Sequence, residues 1–401
     1  MTTGLAILNC EGVALAADSA GTTTGPRGEK LAPCTYGEEK IFRLVPGQPV
    51  ALMLAGSARL MDVEWRTIVS AYYGRIERHC HTGLHPSLSD FVEEFLSFAQ
   101  DQRWFPPEKQ RRWFDSQWEI FARNIVNDVA DQLGGDAEAL HWRLNQAADE
   151  CQRARFMEGA SELDVDAAMG RLGKSMRDML ETMLPDNLRL PEDCIQLILR
   201  TATTTVYKHN VSKKNESTLL FAGYGGAEKF PSAYVHEIGG VVLGKLLRRP
   251  RTREVRISSE QHADYLTIGR DNAITMFMNG IEEETQERVK ALFDSHVRDV
   301  REKFQPSGQP EATRFAEYIE RAPILFSVAI EDECYRKSRI CQGLLRTAAV
   351  SELAQFARRL AQLEVLDARY AYAEHSVGEP IDVATLSKQG FEWRKRKGPI
   401  E

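Results

Sequence analysis

Residues 4 to 17, GLAILNCEGVALAA, constrain the fold more than any other stretch of the chain. Small and apolar residues run up to an Asn9-to-Gly12 turn and away from it again, the pattern of two β-strands joined as a hairpin. A turn at Cys10-Glu11 fixes the expected register: Asp18 lies across from Thr3 and one step from Thr2. In KIFRLVPGQPVALMLAG, Pro46-Gly47 break two further strand-like runs and Gly56 ends the second. The first sixty residues therefore read as β.

From about residue 61 to 200 the chain turns rich in charge, Trp and Phe at helical spacing. Ser116 and Glu119 form a capping-box pattern ahead of the stripe Trp118, Phe121, Ile125, Val129, Leu133, with Gly134-Gly135 as its stop. Phe91, Phe95 and Phe98 make another apolar face, with Asp90 as its expected cap. Strand patterns return at Ser217 to Gly223 and Ala233 to Leu243, about a Gly225-Gly226 turn. A third run, Asp264 to Ile268, ends at Gly269 and leads into a helix from about Asn272. Val289, Leu292, Phe293, Val297 and Val300 give a helix over Ile281 to about Lys303; Leu353, Phe356, Leu360 and Leu363 give a later one. PIDVATLSKQGFEWRKRK closes the chain as a hairpin turned at Lys388 to Gly390. This order of β, helices, β, helices, β predicts an α+β fold with two sheets enclosed by helix layers.

The chain has 401 residues, with 51 Lys+Arg against 58 Asp+Glu and a net charge of -7. That balance disfavours a protein built to neutralise phosphates, so no nucleic-acid partner is expected. Seven scattered cysteines without a CxxC fit a reducing compartment. No apolar run reaches the roughly 18 residues that span a bilayer, and no signal peptide is evident, so a cytoplasmic protein without membrane contact is expected.

The N-terminus carries the chemistry. The small side chain at position 2 is the usual condition for removal of Met1, which would leave Thr2 first. A free N-terminal threonine acts as nucleophile and base together: its α-amine, with a reference pKa of about 7.7 to 8.0, takes the hydroxyl proton near neutral pH. Such an amine needs a nearby cation to favour its neutral form, and the cation needs a carboxylate to hold it. Lys40 and Asp18 are the candidates. Lys30 rivals Lys40 for that place.

TTGLAILNCEGVALAADS, GEEKIFRL and VALMLAG together resemble the proteasome β-subunit-like N-terminal-nucleophile hydrolases, the 20S proteasome subunits and their bacterial two-ring relatives. The resemblance extends over STLLFAGYGGAEKFPSAYVHEIGGVV, YLTIGRDNAI and EHSVGEPIDVATLSK. It implies a four-layer α-β-β-α sandwich with an inserted helical subdomain. The expected parts are a core over 1–60, helices over 61–216, and a second core part over 217–401 with a helical insertion at about 282–344. It implies a threonine peptidase in which Thr2 attacks, Lys40 tunes the amine, Asp18 orients Lys40 and the Met53 N–H stabilises the oxyanion. Arg270 stands where the family shows a serine; Glu374 falls on an aspartate position, and Ser376 lies one residue from a second serine. Peptide or protein substrates, a homo-oligomeric ring and an ATPase or regulatory partner are implied, with no cofactor or metal. A small-amide hydrolase and a catalytically silent subunit are the alternatives, the latter suggested by Arg270.

Other residues invite functional readings that bland ones outweigh. His79, Cys80, His81 and His85 crowd too few residues to close a metal tetrahedron easily. LLRRPRTREVR and WRKRK read as exposed charge rather than phosphate contacts. The stripe around Trp113 and Trp118 reads as core or subunit interface.

Overall fold

In the computed structural model, which describes residues 2–21, 35–36, 38–79, 85–130, 137–184, 190–208, 216–249, 253–303, 310–370 and 377–396, the N-terminal hairpin forms as its sequence pattern dictates. Strands β1 (Thr3–Asn9) and β2 (Gly12–Asp18) pair antiparallel from Gly4 opposite Ala17 to Asn9 opposite Gly12. The Asn9 side chain holds the turn by accepting the Glu11 and Gly12 N–H groups. All residues of both strands are buried, which explains why both faces are apolar or small. Gly12 is required by its neighbour: a Cβ there would meet the Leu386 carbonyl oxygen at 2.4 Å.

Strands β3 (Ala20–Gly21) and β4 (Thr35–Tyr36) form a small pair; β5 (Ile41–Arg43) and β6 (Val50–Gly56) follow, then a second small pair of β7 (Arg59–Leu60) and β8 (Val63–Glu64). Six helices come next: α1 (Trp65–His79), α2 (Leu88–Ala99), α3 (Pro107–Ala130), α4 (Ala137–Arg153), α5 (Glu162–Met183) and α6 (Glu192–Lys208). Strands resume as β9 (Ser217–Gly223), β10 (Ser232–Val242), β11 (Lys245–Arg248), β12 (Arg253–Arg256) and β13 (Ala263–Gly269). The chain ends with α7 (Asn272–Asn279), α8 (Glu283–Lys303), α9 (Pro310–Arg346), α10 (Val350–Tyr370) and the hairpin β14 (Ile381–Ser387) and β15 (Gly390–Lys395). The fold class is thus mixed α and β with antiparallel sheets.

Two helix starts differ from the sequence pattern. Helix α3 begins at Pro107, whose ring suits a first turn that needs no N–H donor. Ser116 is therefore exposed inside the helix, and Glu119 pairs with Arg123 at 2.8 Å instead of capping. Leu133 and the expected Gly134-Gly135 stop lie outside the described residues. In α2 the cap is Ser87: its hydroxyl accepts the Asp90 N–H at 3.2 Å while the Asp90 carboxylate accepts the Ser87 N–H at 3.1 Å. Asp90 is the third helical residue of that capping box.

The chain divides into two compact units. Unit 1 comprises Met1–Ile41, Phe230–Ser232 and Val255–Glu401 and carries a five-stranded sheet in the order β13-β1-β2-β14-β15. Leu5, Ile7, Ala14 and Ala16 face a helix layer whose apolar side includes Leu353, Ala357, Leu360 and Val365 of α10. Unit 2, Phe42–Lys229 and Ala233–Glu254, holds a six-stranded sheet in the order β11-β10-β9-β6-β5 with β12 on β10. Its sheet residues Leu52, Leu219, Phe221 and Ile238 share a core with Trp65, Tyr72 and Phe95 of α1 and α2. A separate core joins α3 to α6 around Trp118, Val165, Met176 and Ile198, so Trp118 is a core residue. Each fully buried side chain of this size contributes on the order of 1.5–3 kcal/mol.

Candidate functional site

The hairpin register sets the first contact of the site. Asp18, at the end of β2, turns its Oδ1 to the Thr3 N–H at 2.9 Å, so the strand end that begins at Thr2 is tied to a carboxylate. The same oxygen accepts the Lys40 ammonium at 2.8 Å. Oδ2 accepts the Ala20 N–H at 3.1 Å and the Gly378 N–H at 3.2 Å. Asp18 is 1 % exposed and Lys40 6 %, so the pair is taken out of water and its desolvation must be offset by such hydrogen bonds. Lys40 donates a further bond to the Ala20 carbonyl at 2.7 Å. Because one oxygen serves both donors, the Lys40 ammonium stands no more than two hydrogen-bond lengths from the amide that joins Thr2 to Thr3.

Thr2 is fixed from the other side. Its carbonyl accepts the Arg270 N–H at 2.7 Å, which extends the β1–β13 ladder one step past the Thr3–Gly269 pair. Gly269 adopts φ 78, a left-handed conformation that turns the chain from β13 toward α7. Arg270 thus meets Thr2 through its backbone, while its side chain runs to α10. Its Nε lies 2.9 Å from Glu364 Oε1 and its Nη2 3.0 Å from Asp367 Oδ2. Glu364 also caps α7, its Oε2 accepting the Ala273 and Ile274 N–H groups at 2.8 and 3.3 Å. Burial pushes the Glu364 carboxyl above the usual range, against the opposing pull of those two N–H groups and of Arg270.

Thr2, Asp18, Lys40 and Arg270 are therefore brought together within unit 1. Met53 is a fully buried residue of β6 in unit 2, opposite Leu220; the oxyanion role of its N–H comes from the resemblance alone. Glu374, Ser376 and Lys30 lie outside the described residues. Glu364 and Asp367 were not anticipated, yet Glu364 did leave a trace: it continues the Leu353, Ala357, Leu360 stripe of α10, where a charge needs a partner. Gly378 had no such trace, because its place beside Asp18 depends on β14 pairing with β2.

Away from this cluster, His85 pairs with Glu94 at 2.7 Å; Cys80 and His81 lie outside the described residues, as does the side chain of His79. His141, Asp193 and Cys194 bring one ligand atom each within 4.8 Å of one another. Burial and then Asp193 push the Cys194 thiol up, which opposes the thiolate a metal would need.

No family model matches the chain, and no curated protein matches it. Solved structures similar to it include Anbu from Hyphomicrobium sp. strain MC1, 10% identical over 98% of this chain and 86% of that one, with a TM-score of 0.29. A Gly-1 mutant of the same protein is 11% identical over 99% and 86%, with a TM-score of 0.28. Anbu, described as an ancestral beta-subunit, from Yersinia bercovieri is 13% identical over 100% and 89%, with a TM-score of 0.30. These names correct the expected membership: the similar structures named here are Anbu proteins, where the resemblance had pointed to 20S proteasome subunits and bacterial two-ring peptidases with inserted helices. At such scores the likeness carries nothing further about this chain.

Proposed function

We propose that the chain is an amidohydrolase whose nucleophile is the Thr2 hydroxyl, freed for the task by removal of Met1. One observation carries this reading: a single Asp18 oxygen accepts both the Lys40 ammonium and the Thr3 N–H, immediately beside Thr2. A buried cation there favours the neutral form of a newly exposed Thr2 amine. That amine accepts the hydroxyl proton as Oγ bonds to the carbonyl carbon of the substrate, then passes it to the departing amine as the C–N bond breaks. The result is an acyl ester on Thr2. Water then adds to the ester carbonyl, giving a proton to the same amine, which returns it to Oγ as the C–Oγ bond breaks and the acid leaves.

In this reading Asp18 orients Lys40, and the Arg270 N–H holds the Thr2 carbonyl so that the residue cannot swing away from the pair. Each unit offers one antiparallel sheet with helices against it, the ingredients of the expected four-layer sandwich. The substrate class is a peptide amide, which the threonine-type chemistry accepts without a metal or cofactor. The test is acylation by an electrophilic peptide: the wild-type protein takes one label per chain at Thr2, and Thr2→Ala takes none. Equal labelling or equal peptide hydrolysis by Thr2→Ala overturns the proposal.

A further inference from the structure

Helix α9 presents to solvent a seam that its own charges make self-complementary. Tyr318, Arg321, Leu325, Val328, Asp332 and Tyr335 follow one another at spacings of three and four residues, which places them along one side of a helix. Leu325 and Val328 are 48 % and 47 % exposed, and Tyr318 and Tyr335 are each 62 % exposed; Arg321 and Asp332 are exposed as well. Helix α8 occupies the opposite side of α9. There Phe293 stacks on Phe326 with ring centroids 4.0 Å apart, Lys290 pairs with Glu331 at 2.7 Å, and Arg301 pairs with Glu320 at 3.0 Å. Large apolar and aromatic side chains left exposed along one side of a helix, with charges of opposite sign between them, suit a surface that meets another molecule.

We propose that this seam is a two-fold contact with a second copy of the same chain, the two α9 helices running antiparallel. Such a pair sets the knobs of one helix against complementary positions of the other. With the axis between Phe326 and Ser327, Leu325 faces Val328 of the second copy and Val328 faces its Leu325. One layer outward on each side Arg321 faces Asp332, and one layer beyond that Tyr318 faces Tyr335. The order is an apolar centre, a ring of opposite charges and an aromatic rim, built twice by one sequence. A parallel pair in register would set Arg321 against Arg321 and Asp332 against Asp332, so electrostatics selects the antiparallel arrangement. From Tyr318 to Tyr335 the seam is about 26 Å long at the helical rise of about 1.5 Å per residue.

The test is the molar mass of the full chain, by light scattering across a concentration series, for wild type and four variants. Wild type is expected to reach an even number of chains, and L325E/V328E to halve that mass with unchanged helical circular dichroism. R321D sets aspartate against Asp332 twice, and D332R sets arginine against Arg321 twice, so each alone halves the mass. The double variant R321D/D332R restores it, and so does an equimolar mixture of the two single variants, whose seams are complementary to each other. A wild type that stays a single chain, a mass that no variant changes, or a double reversal no better than the single ones overturns the proposal. The last two outcomes would point to another partner or another surface.

Discussion

Among the described residues, the two oxygens of Asp18 accept from Lys40 and from the N–H groups of Thr3, Ala20 and Gly378. Removing the charged one of these leaves a buried carboxylate without its cation, so Lys40→Met is expected to destabilise the fold by about 3 kcal/mol, in the range for breaking a buried ion pair. The urea midpoint reads this loss. Labelling of Thr2 is expected to fall by about 100-fold, because the amine that takes the hydroxyl proton loses the cation that favours its neutral form. Lys40→Arg should not restore it, because a planar guanidinium does not fit the space of a compact ammonium bound at 2.7 and 2.8 Å. Arg270→Leu tests the second cluster. It leaves Glu364 without its cation, drives that already raised carboxyl further up and is expected to cost about 3 kcal/mol. The place of Asp18 beside Thr3 was legible because a hairpin register is arithmetic, whereas Lys40 was set above Lys30 only by the resemblance of its IFRL context. The Arg270 contacts were not, since its backbone serves β13 while its side chain serves a helix some ninety residues on.

At the scale of elements, α2 and α3 separate sequence patterns that cap from those that only look like caps. Ser87→Ala removes a bonded N-cap and is expected to cost about 1 kcal/mol; Ser116→Ala, inside α3, is expected to be neutral or slightly stabilising by helix propensity. Thermal or urea unfolding of the two variants measures the contrast. The serine at 116 misled because a capping box has the same spacing wherever it falls, and only Pro107 upstream fixes the start. Helices α5 and α6 give a pH-dependent prediction. Hydrogen bonds from Arg177, then Gln196, hold the exposed Glu192 carboxyl down to about 2 from its ordinary 4.5. A depressed carboxyl stabilises the fold above its ordinary value and loses that contribution as pH falls through the depressed one. The difference in unfolding midpoint between wild type and Arg177→Ala should therefore be present near neutral pH, vanish as pH falls from about 5 toward about 2, and shrink with salt.

Across the whole molecule, the candidate site joins residues from both ends of the chain because the order of strands in the sheet is not their order in sequence. β14 pairs with β2 and β13 with β1, so Gly378 and Arg270 reach the hairpin from far downstream. Strand identities could be read from local patterns, whereas this pairing depends on tertiary closure that no local pattern encodes. A chain cut after Tyr370 loses β14, β15 and the Gly378 donor, and is expected to lose near-ultraviolet dichroism and Thr2 labelling together. The central claim, that Thr2 is free and reactive beside Lys40 and Asp18, is tested most directly by intact mass spectrometry of the purified protein with and without an electrophilic peptide. The account predicts a mass lower by one methionine and a single adduct that maps to Thr2 and is absent from Thr2→Ala. An active protein that retains Met1, or an adduct that maps elsewhere, would contradict it.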